Sequence, residues 1–356
     1  MSDWCSLALD PPRAAGPPLG RARLRDTHED FQVDERLGFE PSGEGEHLLV
    51  RVRKRGANTA WVAGELARLA GVRRHDVGFA GLKDRRAVTT QWFTLPGRRV
   101  APGALFGAGG EGWSVLEAHA HRRKLPRGAS AGNEFRIMLR GYDGDRDALE
   151  RRVELLRRRG APNYFGPQRF GRGLANLAVL QGGAPQSGPR GFVLSAARSL
   201  VFNAVLAERV RDGTWSRLLA GERANLDGRN SNFLVESADT VLEQRLAALD
   251  VHPTGPMWGV GDSGVRGAVA ALEETVAARY PALTALLDEA RVETARRPLR
   301  MAVRDLSLAW SPEGDGLDCE LRFSLRAGSF ATMVLRELVD TVSPADASGG
   351  AEEEDA

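Results

Sequence analysis

With 356 residues, 42% of them hydrophobic, the chain is long enough for about two domains with substantial cores. No stretch approaches the roughly 20 apolar residues that span a bilayer, and the start, MSDWCSLALDPPRAAG, carries early acids without a long apolar segment, so a cytoplasmic protein with no membrane segment is expected. Only Cys5 and Cys319 are present, and of the six histidines only His119 and His121 stand close together, which argues against a disulfide framework and a metal site; the formal charge is +2.

His47 to Arg53, HLLVRVR, alternates as a strand with Leu48, Val50 and Val52 on one face. A helix is predicted next, capped by Thr59, striped by Val62, Leu66, Leu69 and Ala70, and closed by Gly71. Val77 to Ala80 and Thr90 to Leu95 read as short strands joined by a loop that holds a single acid, Asp84, among Lys83, Arg85 and Arg86. Loops on a rigid scaffold commonly present reactive groups, although an isolated Lys-Asp-Arg triplet is also an ordinary surface salt-bridge patch. NEFRIMLR, Asn133 to Arg140, is another strand with Asn133, Phe135, Ile137 and Leu139 on one face. Asp147 to Arg159 is predicted helical, with its basic end at the C-terminus.

From about residue 160 the pattern becomes mainly helical, as in Ala196 to Val210 and Ala268 to Ala278, with Gly/Pro-rich loops such as HPTGPMWGVG at His252 to Gly261. Strand signals return at Leu299 to Val303 and Leu317 to Leu325, and a last helix is predicted from Phe330 to Val339. The order suggests a discontinuous first domain, 1–160 and 304–343, with a second inserted at 161–303 and an acidic tail at 344–356 that reads as disordered.

Charge is unevenly spread. Residues 51–172 hold 26 Lys/Arg against 11 Asp/Glu, a net of +15, whereas 173–356 hold 18 against 26, a net of −8. Basic residues cluster at Arg51, Arg53, Lys54 and Arg55, at Arg85 and Arg86, at Arg122, Arg123 and Lys124, and at Arg157 to Arg159, which together point to a polyanion surface. NYFGPQRFG, Asn163 to Gly171, mixes aromatics with Gln168 and Arg169; such a mixture can stack on bases and hold phosphates, or pack a domain junction. No phosphate loop of the G-x-x-x-x-G-K-S/T type occurs.

Seven stretches, in order, carry a resemblance: EDFQVDE at Glu29 to Glu35, GEGEHLLVRVRKRGANT at Gly43 to Thr59, GFAGLKDRRAVTTQWF at Gly78 to Phe93, HRRKLPRGASAGNEF at His121 to Phe135, NYFGPQRFG, HPTGPMWG at His252 to Gly259, and GSFATMVLREL at Gly328 to Leu338. Together they resemble the TruD-type tRNA pseudouridine synthases across almost the whole chain. The resemblance implies an α/β (α+β) pseudouridine synthase domain with a mixed, mainly antiparallel sheet, interrupted by an inserted TRUD domain. It implies isomerisation of uridine 13 in tRNA to pseudouridine, with tRNA as partner and no cofactor; a monomer is the default expectation. Pro126 and Pro167 depart from the family pattern in two loops.

By that resemblance Asp84 is the catalytic acid. The reaction breaks the uracil N1 to ribose bond and rejoins the sugar at C5, and attack at C1′, addition to the ring and abstraction at C2′ all require an ionised carboxylate beside the reacting nucleotide. The uridine has to leave its stack, at a cost of a few kcal/mol. Phe31, Phe135 and Phe330 match the family's substrate-side aromatic positions, although each read alone is a core aromatic, and Asn133, on the same strand face as Phe135, can hydrogen-bond to the base. Arg85, Arg86, Arg122, Arg123, Lys124, Gln168 and Arg169 are the expected RNA contacts. Glu35 is a candidate to orient a basic neighbour. A tRNA-binding chaperone is the competing reading, and Asp84 argues against it, because a pure binder gains nothing from an anion in an arginine-rich RNA surface.

Overall fold

The computed structural model of the chain describes residues 3–97, 100, 102–182, 190–229, 231–311 and 317–343. The expected acidic tail at 344–356, with Arg98 and Arg99, lies outside them. The chain forms two compact units, one of Met1–Pro18, Asp147–Val303 and Ser329–Leu338, the other of Leu19–Arg146, Arg304–Gly328 and Val339–Ala356.

The second of these is built on an eleven-stranded mixed sheet. Its main path runs Arg304–Trp310, Cys319–Arg326, Ser130–Arg140, Phe31–Leu37, Val88–Pro96, His47–Arg55, Trp113–His121, Gly109–Gly110. Neighbours are antiparallel except Phe31–Leu37 with Val88–Pro96, and Arg21–Leu24 with Asp340–Val342. Period-two alternation sorts the side chains: Leu48, Val50 and Val52 join Val62, Ala63, Leu66, Phe93 and Leu95 in one core under the helix Thr59–Ala70. Burying a Val or Leu of this stripe contributes about 1.5–3 kcal/mol. The helix cap differs from expectation: the Asn58 side chain accepts from Ala60 N at 2.8 Å, while the Thr59 hydroxyl is engaged by the Asp84 loop. Gly71, at φ 63°, closes the helix in the left-handed region.

The other unit packs around the helix Arg190–Arg211, against which Asp3–Leu9, Ala175–Leu180, Gly267–Ala277, Pro281–Glu289 and the strand Val251–Met257 all lie. Gly191–Arg211 is long and apolar enough by composition to cross a membrane, but 61% of its most apolar window is buried inside the fold. The segment expected as a loop from His252 is a strand through Met257. Its prolines are tolerated because pairing is staggered: Val251 to Pro253 pair with Glu222–Leu226, and Thr254 to Met257 with Ala295–Pro298, so each proline has one side of the strand free of a ladder.

The last helix is shorter than expected, Ala331–Leu335, because Glu337 N and Leu338 N bond back to Val334 O and Leu335 O in tight i to i−3 turns. Strand Arg304–Trp310 carries no clear sequence signal; it is an edge strand whose side chains are mostly exposed. The strand signal expected at Leu299 to Val303 resolves into Ala295–Pro298 and Arg300–Met301. Residues 3–18, 147–160 and 329–338 group with 161–303 rather than with the sheet: they are tied to one another through Arg152 Nη1 to Glu337 O (2.9 Å) and the amides of Ala14 and Ala15 on Glu337 Oε2 (2.9 Å each), and to 161–303 through Asn203 Nδ2 to Leu7 O (3.1 Å) and Phe330 against Phe165.

Candidate active site

Asp84 stands on the loop between Gly78–Phe79 and Val88–Pro96. The loop is pinned along its backbone. Gln91 Nε2 donates to Gly81 O at 2.7 Å, and Lys83 N donates to the Thr59 hydroxyl at 3.0 Å, which itself donates to Gln91 Oε1 at 3.0 Å. Beneath it the Lys54 ammonium donates to Ala57 O (2.7 Å), Asp84 O (2.9 Å) and Lys83 O (3.4 Å). Lys54 is 1% exposed, and burial pushes its pKa down to about 8; the Asp84 charge acts in the opposite sense and Lys83 reinforces the drop. Gly78 is needed at the loop's root because a Cβ there would lie 2.7 Å from Leu125 O and Thr94 Oγ1.

The Asp84 side chain is 49% exposed. Its Oδ2 accepts from Arg25 Nη2 at 2.6 Å, and among the described residues Oδ1 has no hydrogen-bond partner. Arg25 adopts φ 65°, a sparsely populated conformation for a residue with a Cβ, and its guanidinium carbon lies 4.1 Å from the Phe31 ring centroid. Phe31 meets Phe135 edge to face with centroids 6.3 Å apart, and Phe135 stacks on Phe323 at 5.2 Å. Asn133 shares that strand face, opposite Glu35, and its buried Oδ1 has no hydrogen-bond partner. Glu35 is buried; it pairs with the Lys83 ammonium through Oε1 and accepts from Trp92 N at 3.0 Å through Oε2. Asp84, Phe31, Asn133 and Phe135 thus fall on one sheet face and the loop above it. Here the structure presents an open carboxylate oxygen with a fixed cation, aromatic rings and an unsatisfied amide acceptor.

The other unit brings together two stretches far apart in sequence. Phe330 caps Ala331–Leu335 and lies edge-on to Phe165 at 6.4 Å. Phe165 is held by Asn203, which accepts from its N–H at 2.9 Å and donates to its carbonyl at 3.0 Å. Arg169 and Arg297 approach that ring at 5.0 and 4.0 Å, and Gln168 is exposed beside them.

The chain matches the model of the family described as tRNA pseudouridine synthase D (TruD) over residues 16–179 and 190–338. It is 46% identical over 345 residues to a tRNA pseudouridine synthase D of Methylococcus capsulatus, covering 93% of this chain and 94% of that protein. With the tRNA pseudouridine synthase D of Pseudomonas syringae pv. syringae the identity is 47% over 345 residues, 94% and 96% of the two chains. The chain belongs to the TruD family. A crystal structure from Methanosarcina mazei, named for the same family, superposes with a TM-score of 0.72 over 96% of this chain and 98% of that one, at 19% identity, and so shares the fold.

The expected TruD RNA contacts are dispersed. Arg85, Arg86, Arg122, Arg123 and Lys124 are exposed, but Arg122 is paired with Glu44, Lys124 donates to His75 O at 2.6 Å and Arg85 to Gly56 O at 3.3 Å. Two side chains that contact Asp84 escape sequence reasoning. Arg25 lies 59 residues before Asp84 with no periodic signal around it. Lys54 hides in a basic run, although alternation from Leu48 through Val50 and Val52 assigns it to the buried face.

Proposed function

We propose that the chain isomerises uridine 13 of tRNA to pseudouridine, with Asp84 as the catalytic carboxylate. As a TruD family member the chain is a tRNA pseudouridine synthase, an isomerase acting on tRNA. The observation that carries the finer reading is the Asp84 carboxylate itself, anchored by Arg25 through Oδ2 with Oδ1 open. In the reaction the N1–C1′ bond breaks, the uracil turns so that C5 faces C1′, a C5–C1′ bond forms, a proton leaves C5 and N1 ends protonated. Substrate and product are isomers, so the balance needs no added atoms or electrons.

Arg25 keeps Oδ2 occupied and directs Oδ1 toward the nucleotide, while Lys54 fixes the main chain on which the carboxylate hangs. Asn133 Oδ1 is an acceptor suited to the uracil N3–H, and the Phe31 and Phe135 rings offer the apolar wall that recovers unstacking energy. The sheet unit is read as catalytic and the unit around Arg190–Arg211 as the inserted RNA-binding part, in a cytoplasmic monomer. A pure chaperone has no use for the Lys54 clamp beneath one exposed carboxylate. The test maps pseudouridine in transcripts with U13 and with U13 changed to C. Product confined to position 13 supports the reading, and equal modification elsewhere in the C13 transcript refutes the position.

A further inference from the structure

Two arginines of the unit around Arg190–Arg211 are buried in bidentate ion pairs. Arg209 donates to both carboxylate oxygens of Glu222 at 3.2 and 3.3 Å, and Arg296 to both of Glu273 at 2.7 and 2.6 Å, so these guanidinium ions are neutralised inside the fold. Arg169 and Arg198 are different. Arg169 Nε donates to the Ser199 hydroxyl at 3.1 Å, and its guanidinium faces the Phe165 ring. Arg198, the residue before Ser199, donates through Nη2 to Met257 O at 2.8 Å and Glu293 O at 2.9 Å, and its Nε is buried without a partner. Among the described residues neither is paired with a carboxylate.

Arg297 adds a third cation to the same corner, 4.0 Å from the Phe165 centroid and 5.4 Å from that of Phe202, donating to Asn163 Oδ1 at 2.7 Å. Burial lowers the pKa of all three, and the charge of Arg169 lowers those of Arg198 and Arg297 further, that of Arg297 to about 9. Arg169 and Arg198, partly desolvated and near enough for the charge of one to lower the pKa of the other, are unfavourable together unless an anion joins them. Arg198 lies in residues 173–356, where acids outnumber bases, yet the carboxylates of Glu222 and Glu273 engage Arg209 and Arg296 instead.

We propose that Arg169, Arg198 and Arg297 form a binding site for a backbone phosphodiester of the RNA substrate, oriented by Phe165 and its clamp Asn203. The guanidinium fork matches phosphate oxygens in two-point contacts, and Phe165 with Phe330 supplies aromatic surface beside them. The site rests on the reading of the chain as a tRNA-modifying enzyme and adds Arg198 and Arg297, which lie outside the motif that drew attention to Arg169.

The test is the full-length double variant Arg169→Gln/Arg198→Gln, compared with wild type for binding of an unmodified tRNA transcript across a salt series, with thermal melting in the absence of RNA. The expected result is an affinity loss of about tenfold or more and a salt slope shallower by about 0.7–0.9, one phosphate's worth, with a melting temperature within about 3 °C of wild type, because relief of the repulsion between the two cations offsets the lost hydrogen bonds to Ser199, Met257 and Glu293. Arg169→Lys/Arg198→Lys is expected to restore the slope but only part of the affinity, since ammonium ions lack the fork. Parallel slopes with equal affinity overturn the proposal, as does a lower melting temperature with unchanged slope, which marks a structural role. Uridine conversion by wild type runs alongside: if it fails in every tRNA while the slope change persists, the enzymatic reading falls and the phosphate site stands.

Discussion

Replacing Lys54 with methionine separates the energetic cost of a buried ammonium from its use. Lowering its pKa from 10.5 to about 8 means that the fold carries about 3 kcal/mol at neutral pH to keep this group charged. Methionine has a similar length and removes that cost, but it leaves Ala57 O, Asp84 O and Lys83 O without their donor, at about 1–3 kcal/mol for each carbonyl that stays buried. The opposing terms leave a net loss of a few kcal/mol at most, a drop in melting temperature of about 10 °C or less. The Asp84 loop loses two of its backbone anchors, and if Asp84 is the reacting carboxylate, as proposed, a displacement of about 1 Å lowers the rate by about 100-fold. Single-turnover pseudouridine formation at enzyme excess is therefore expected to slow by about 10- to 100-fold in Lys54→Met, with the tRNA dissociation constant within about threefold of wild type. A folded variant that turns over at the wild-type rate refutes the clamp.

The same lysine gives a pH signature. Its folded pKa lies below its unfolded one, so the folded state binds fewer protons between about pH 8 and 10.5, and wild type should gain up to about 3 kcal/mol relative to Lys54→Met as pH rises through that window, read by urea unfolding; no divergence contradicts the burial argument. Arg25→Gly removes the Asp84 partner and relieves the φ 65° conformation, so the melting temperature should stay within about 3 °C while single-turnover conversion falls at least about tenfold; a fully active variant excludes Arg25 from the site. Asn203→Ala removes hydrogen bonds to Phe165 N, Phe165 O and Leu7 O, and should destabilise by about 2–4 kcal/mol in chemical denaturation, whereas a change below about 1 kcal/mol shows that the Phe165 corner is held by packing.

Legibility in the sequence followed the range of the interactions. Strands such as His47–Arg55 and Ser130–Arg140 were readable because a two-residue period is local, and Gly71 announced a helix end by its backbone alone. Asp84 drew attention through its motif, and the structure adds the Arg25 and Lys54 contacts that hold its side chain and main chain. Arg25 was invisible because its pairing depends on sheet topology, and Val251–Met257 was misread because its prolines are harmless only under staggered pairing. The basic run Arg51 to Arg55 is mostly not a polyanion surface: Lys54 is buried, Arg51 pairs with Asp34 and Glu117, and Arg55 with Glu29. Charge counting along a chain cannot distinguish a solvated cation from one already neutralised across strands.

The most direct measurement compares wild type with Asp84→Asn for conversion of U13 in an unmodified tRNA transcript at enzyme excess, with binding measured on the same preparations. The account predicts that wild type forms pseudouridine and that the variant binds the tRNA with similar affinity yet forms none. Conversion by Asp84→Asn at a rate near wild type contradicts it.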